Sequence, residues 1–359
     1  MRYKFYPTES RIMDLLAFPK CIDFGKGHKE EIDNNNNYID LLPESNLRLF
    51  KSMEEALKPY KSRIYKFYFE DCSLPSLICK NFPPFGYGKY KDYISFLKDL
   101  NVEEILMSYI SRIYDLSNNN QPIDEEVMNQ LMEDKSKQIE LLETLQLPDD
   151  EKWKLSKILR RPKEMLMEWV ELIEEVEPLF DKFYKEKVSE VLALGNRMEE
   201  AFNRTKGDAI SELSDNIVKK ELLPNGNILI SFINSYSIEL NTRSKVQYTR
   251  WGLDIETLLK NIKDAEENAI RERVILFKNL GDKTRYEVVR LIGKGVESAK
   301  EISELLNVSQ ATISYHISNL TSSKIIVLEK NEGKYNYKVN LEFLEETHRL
   351  MMEDFTKFD

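Results

Sequence analysis

At 359 residues, 42% hydrophobic and 32% charged, the chain has the make-up of a folded protein of two or three domains, which excludes wholesale disorder. Twelve glycines and twelve prolines are few for this length, which favours long helices over loop-rich β architecture, and no apolar run reaches the roughly 18 residues of a membrane-spanning helix. The formal charge of −10 is uneven: residues 121–200 hold twenty-one acids against twelve bases, while residues 275–340 hold ten bases against seven acids, so one locally basic module suited to a polyanion sits in an acidic chain.

The opening residues Met1-Arg2-Tyr3-Lys4-Phe5-Tyr6-Pro7 lack the apolar stretch of a secretory signal, and three cysteines (Cys21, Cys72, Cys79) cannot staple a chain of this size; a cytoplasmic location is expected. Tyr3 to Tyr6 alternates like a short strand, and Ser10 to Phe18 reads as a helix bearing Ile12, Leu15 and Leu16. Asn34–Asn37 and Asn118–Asn120 read as polar loops. Arg63 to Phe69 fits a strand or an aromatic helix face equally well. Pro83-Pro84, Gly86 and Gly88 break the chain before a helix from about Tyr90 to Leu116.

From Gln121 to Phe202 the pattern is helical, with Asp149 placed as a cap and Met165, Trp169, Ile173 and Val176 forming an apolar stripe opposite a glutamate-rich face. This reads as an acidic, solvated helical bundle. Pro224-Asn225-Gly226-Asn227 is a turn, Ile228 to Ile233 a buried strand, and Tyr236 to Leu240 its expected partner, in a small sheet that the Tyr3–Tyr6 strand can join. Helix returns at Asp254 and runs to about Leu280. The predicted class is therefore mainly α (α+β): a long helical N-terminal region with a small sheet, residues 1–253 with a sub-boundary near 120, then a C-terminal domain over 254–359.

Residues 282–340 are a series of local signals. Asp282 is placed to cap a helix that ends at Gly293 and Gly295; Ser298, with Glu301 three residues on, caps a second whose apolar face is Ile302, Leu305 and Leu306. Asn307-Val308 turns tightly into Ser309, the cap of a third helix on which Ile313, Ile317 and Leu320 point inward. Its opposite side shows Ala311, Tyr315 and Ser318, flanked by Thr312 and Ser314, with Gln310 in the first turn. Small or hydrogen-bonding side chains on an uncluttered face suit base edges in a major groove. Ile325 to Val339 then reads as a hairpin edged by Lys330, Lys334 and Lys338, a wing able to reach phosphates. The recognition helix is thus 309–320 and the wing 325–339.

These segments, from Leu280-Gly281-Asp282-Lys283-Thr284-Arg285 through Glu301-Ile302-Ser303-Glu304-Leu305-Leu306 to the run from Val308 to Leu320, resemble the ArsR family of bacterial winged-helix repressors over roughly residues 270–345. The resemblance implies a homodimer on a palindromic operator that responds to an effector. The apolar stripe of Leu344, Met351, Phe355 and Phe358 on the last helix packs within its own subunit or, as the resemblance implies, dimerises together with the helix before Leu280; His316, beside the core stripe, is read as orienting the recognition helix. Metal-sensing members place cysteines on the helix that here runs Ser298 to Leu306, which has none; others use acids and histidines on the last helix, where His348 stands among Glu345, Glu346 and Glu353. No cofactor or metal is expected, and the N-terminal region is read as sensing an unknown non-metal effector. Its aromatic stretches (Tyr65 to Phe69, Phe82 to Tyr93) are core or the lining of an apolar pocket; its cysteines are buried thiols or a thiol switch.

An enzyme is not expected. The chain has no phosphate-cradling glycine loop, nucleophile elbow or zinc-protease motif, and His28 is the one histidine outside the C-terminal domain. The second reading, which the overall acidity keeps open, is a winged helix used for protein contact or assembly without specific DNA binding.

Overall fold

The computed structural model describes residues 2–23, 44–69, 73–118, 123–214, 218–223, 226–242, 244–266, 269–331 and 334–356. They fall into two compact units, one drawn from Met1–Asp33, Leu42–Ala209 and Leu223–Ile255, the other mainly from Ile210–Leu222 and Glu256–Asp359. The architecture is mainly α with two small sheets. Among the described residues, no helix is long and apolar enough to cross a membrane. The predicted loops at Asn34–Asn37 and at Asn119-Asn120 lie outside the described residues, as do His28, Cys72 and Phe358.

In the first unit, strand β1 (Lys4–Phe5) leads into α1 (Pro7–Ala17), which starts on a proline where no N–H is needed and buries Ile12, Leu15 and Leu16. Helices α2 (Glu44–Leu57), α3 (Lys61–Ile64), α4 (Leu74–Cys79), α5 (Tyr90–Asp99) and α6 (Val102–Ser117) follow. The stretch from Arg63 is neither strand nor helix face throughout: it ends α3 and turns, burying Phe67, Tyr68 and Phe69. The single helix expected over Tyr90–Leu116 is two. Asn101 accepts from the Glu104 N–H and the Glu104 carboxylate accepts from the Asn101 N–H, both at 2.9 Å, and this reciprocal box starts a new helix.

Next come α7 (Glu125–Glu133), α8 (Lys135–Glu143), α9 (Asp149–Arg160) and the 43-residue α10 (Pro162–Arg204). Asp149 is not the cap but the first helical residue; Pro148 holds the cap position with no side-chain bond. Trp169, Ile173 and Val176 are fully buried along α10, with Met165 half-buried at the end of the stripe.

The sheet has the order β1-β2-β4-β3, with β2 (Asn227–Ser231) parallel to both β1 and β4 (Tyr248–Gly252), and β3 (Ile238–Asn241) antiparallel to β4. The expected pairing of the Tyr236–Leu240 segment with the Ile228 strand is thus replaced: β4 lies between them. Burial of Tyr248 and Trp251 drives it there, and Arg250 at its centre is neutralised by Glu239 of β3 at 2.5 Å. At Gly252 a Cβ would stand 2.1 Å from the Ser235 carbonyl oxygen, so only glycine fits. Helix α10 covers the sheet through an aromatic layer: Phe202 meets Tyr3 and Trp251 at 5.4 and 5.9 Å between centroids, and Phe180 meets Phe232 at 5.7 Å. Asp14 of α1 ties helix to sheet, accepting from the Phe232 N–H at 2.8 Å and from the Ser231 hydroxyl.

The second unit holds α11 (Ile255–Glu266), α12 (Ala269–Gly281), α13 (Lys283–Gly293), α14 (Ala299–Leu306), α15 (Gln310–Ser322), the hairpin β5 (Ile326–Asn331) and β6 (Lys334–Val339), and α16 (Leu341–Thr356). One apolar core joins Leu276, Val288, Ile292, Ile302, Ile313, Ile317, Leu320, Ile325 and Ile326.

Candidate nucleic-acid interface

Side-chain caps start each helix of the second unit that bears on the interface. Asp282 Oδ1 accepts from the Arg285 N–H at 2.8 Å to open α13, and Gly295, at φ +89°, carries the chain away from its end. Ser298 Oγ accepts from the Glu301 N–H at 3.0 Å to open α14. On α14, Ile302 is buried and Leu306 partly so, but Leu305, expected on that face, is 58% exposed. At 100° per residue it falls over 100° away from the mean direction of Ile302, Ser303 and Leu306, the line that meets α15.

Asn307 takes the left-handed conformation (φ 54°, ψ 47°) that ends α14, and the Val308 N–H closes the turn on the Ser303 carbonyl at 3.1 Å. Ser309 Oγ then accepts from the Thr312 N–H at 3.0 Å and shares a hydrogen bond with Thr312 Oγ1 at 2.8 Å. These two contacts fix the turn between helices and the first turn of α15.

Along α15, Ile313, Ile317 and Leu320 are buried, as their spacing requires. Ser309, Ser314 and Ser318 are exposed; Gln310, Ala311, Thr312 and Tyr315 are half-exposed. No charged residue lies between Ser309 and Leu320, so this face carries hydroxyls, an amide and a phenol with no acid that would repel a phosphate. His316 is buried beside the stripe, and burial holds its imidazole below the ordinary histidine range. It is a packing residue.

The hairpin pairs Ile326 with Val339, Leu328 with Tyr337 and Lys330 with Tyr335. Tyr337 and Val339 pack on the core, while Lys330 and Lys338 are exposed on the strands. The Lys330 ammonium lies 5.6 Å from the Tyr335 ring centroid, and Lys338 pairs with Glu329 at 3.4 Å. The side chain of Lys334 lies outside the described residues. One contact escaped the sequence: the Tyr335 hydroxyl donates to the Leu222 carbonyl at 2.7 Å, fastening the wing to the segment that precedes α11. No local signal announces a bond across 113 residues.

On α16, Leu344 packs against the core of its own unit, whereas Met351 is half-exposed and Phe355 is 72% exposed. Val274 and Phe277 on α12 are also exposed apolar residues. Among the described residues, no group of three or more His, Cys, Asp or Glu side chains is arranged to hold a metal ion. In the first unit, burial raises the Cys21 thiol to about 12 and the Cys79 thiol to about 11, so both stay protonated. That unit also carries an open groove of about 510 Å³ lined by Lys4, Tyr6, Glu9, Phe85, Asn227 and Val246 among others.

Three capped helices, a tight left-handed turn before an uncharged third helix, and a lysine-bearing hairpin define a winged helix-turn-helix module, the class used by DNA-binding transcriptional regulators. A family model described as a helix-turn-helix domain matches residues 280–329. Over 75 residues, 21% of this chain, the sequence is 32% identical to 72% of an arsenical resistance operon repressor of Staphylococcus xylosus; over 76 residues it is 28% identical to 73% of the protein of the same name from Staphylococcus aureus. The chain belongs to the ArsR family of these repressors. No solved structure matches it significantly.

Proposed function

We propose that this protein is a dimeric transcriptional repressor that grips a palindromic operator through residues 254–359, while residues 1–253 sense an effector or set the assembly. The observation that carries the reading is the face of α15: an exposed row of small and hydrogen-bonding side chains, backed by a fully buried Ile313-Ile317-Leu320 stripe that holds the helix rigidly against the core. Gln310, Tyr315 and Ser318 read base edges in the major groove; Ser309, Ala311, Thr312 and Ser314 allow close approach and bond phosphate or base. Lys330, Lys334 and Lys338 of the wing contact the backbone. Met351 and Phe355 of α16, continued from Leu344 and joined by Val274 and Phe277 of α12, form the self-complementary apolar face of the dimer.

We infer an effector other than a thiophilic metal, because helix α14, where metal-sensing members carry cysteines, has none. The groove beside Tyr6 and Phe85 is the effector site we favour, with Glu9 and Lys4 supplying polar recognition. Gel shifts of the full chain on a duplex from its own upstream region test the reading. A dimer that binds this duplex over competitor, with affinity falling steeply in salt, is the expected result. Equal affinity for every duplex, or indifference to salt, refutes it in favour of a protein-contact role.

A further inference from the structure

Within the acidic helical series, residues 152–163 carry six lysines and arginines and no acid. Most of these cations have structural partners. Lys163 donates to the Leu100 carbonyl at 2.6 Å, Lys154 pairs with Asp150 at 3.1 Å, and Arg161 pairs with Glu164 at 3.2 Å. Lys157 and Arg160 are different. Among the described residues neither meets a carboxylate; both lie over one indole, that of Trp153, at 5.2 and 5.7 Å from the ring centroid.

Trp153, Lys157 and Arg160 recur at i, i+4 and i+7 on the outer side of α9, and all three are exposed, the tryptophan by 53%. The opposite side of the helix is anchored by Leu155, Ile158 and Leu159, which are buried. Other basic side chains of the same unit are neutralised by α10: Arg63 by Glu175 at 2.6 Å, Lys66 by Glu168 at 3.3 Å and Lys98 by Glu174 at 2.7 Å. The α9 face is thus a rigid, unneutralised pair of cations around an exposed aromatic on a chain of net charge −10.

We propose that the Trp153-Lys157-Arg160 face of α9 is a second nucleic-acid contact, taking the phosphate backbone of duplex DNA that flanks the site held by the winged helix. The inference rests on the DNA-binding reading above. Two cations on an acidic protein do not hold a polyanion unaided. Where both faces reach one duplex, the second contact is intramolecular and acts at high effective concentration. Duplex DNA presents a charge every ~1.7 Å, so two cations on one helix face can each meet a phosphate. The indole keeps both cations extended outward and gives way to phosphate.

The test uses the full chain with two duplexes from its upstream region, one of about two helical turns and one extended by about two further turns on each side. The wild type is expected to bind the longer duplex more tightly, with a salt slope steeper by about 1.8 per protomer, about 3.6 for a dimer, or about 150-fold more affinity lost over a fourfold rise in salt. Lys157→Ala/Arg160→Ala is expected to erase that gain and leave the shorter duplex unaffected. Trp169 and Trp251 are fully buried, so quencher-accessible emission belongs to Trp153; the longer duplex should protect it, and Trp153→Phe should remove the accessible component. Equal binding of both duplexes, a gain that survives in the double variant, or protection by poly-glutamate but not by duplex overturns the inference alone. Failure to bind either duplex overturns the DNA-binding reading and this inference with it.

Discussion

Replacing Lys338 by alanine removes an exposed wing cation at little structural cost. Its ammonium stands 3.4 Å from Glu329 with 65% of the side chain in solvent, a pair of the kind worth about 0.2–1 kcal/mol, and the ladder pairing of residue 338 with Val327 is made by backbone. If Lys338 neutralises one phosphate in each protomer, a dimer loses two contacts and log K against log salt becomes less steep by about 1.8. Over a fourfold rise in salt, wild-type affinity then falls about twelvefold more than that of the variant. Fluorescence-anisotropy titrations at several salt concentrations, on the preferred duplex and on a scrambled one, measure this directly. Lys338→Ala should weaken both duplexes alike, whereas Tyr315→Ala should narrow the gap between them and leave the salt slope intact. A Lys338 variant with altered preference and unchanged slope, beside a Tyr315 variant with neither effect, would mean that α15 does not lie in the groove.

Three further outcomes follow from other contacts. Burial pushes the Asp14 carboxyl from 3.8 up to about 6, so the folded chain holds this proton more tightly than the unfolded one. The stability it contributes, about 3 kcal/mol, is present below pH 3.8 and lost as pH rises through 6; in Asp14→Asn, urea melts across that window should show a correspondingly flatter pH profile, and an unchanged profile contradicts the assignment. Tyr335→Phe deletes the donor to the Leu222 carbonyl and should cost about 1 kcal/mol, read as faster amide exchange in β5 and β6; equal exchange rates would show that the wing needs no such tether. Phe355→Asp places a charge on the exposed apolar end of α16 and should convert dimer to monomer by light scattering with helical content intact, while a persistent dimer would move the interface elsewhere.

The second unit was legible in the sequence because its determinants are local. Asp282, Ser298 and Ser309 each satisfy an N–H three residues ahead, and Asn307 ends its helix by its own backbone conformation, so pattern and structure coincide there. Leu305 misled because three-residue spacing from Ile302 says nothing about which neighbour lies beyond. The first unit depends on contacts that no window contains. β1 pairs with β2 across more than 220 residues, and β4, with arginine at its centre, reads as a strand only once Glu239 is known to stand opposite. The break between α5 and α6 was present in the text as Asn101 and Glu104, a capping signal overshadowed by continuous apolar periodicity on either side.

Charge shows most clearly where sequence reading stops. Counted by composition, residues 121–200 are an acidic solvated face, and their twelve bases disappear into the sum. In three dimensions many of those acids are already engaged: Glu168, Glu174 and Glu175 neutralise Lys66, Lys98 and Arg63, and Glu177 and Asp181 hold Arg11, which also lies over the rings of Tyr90 and Phe180. Lys157 and Arg160 stand apart because the helix that carries them turns them toward solvent and toward Trp153. A net charge fixes how a chain meets a polyanion at long range, where screening leaves little beyond ~10 Å. Within that distance the unneutralised pair decides, and an acidic protein can therefore carry a phosphate-binding face away from its basic module.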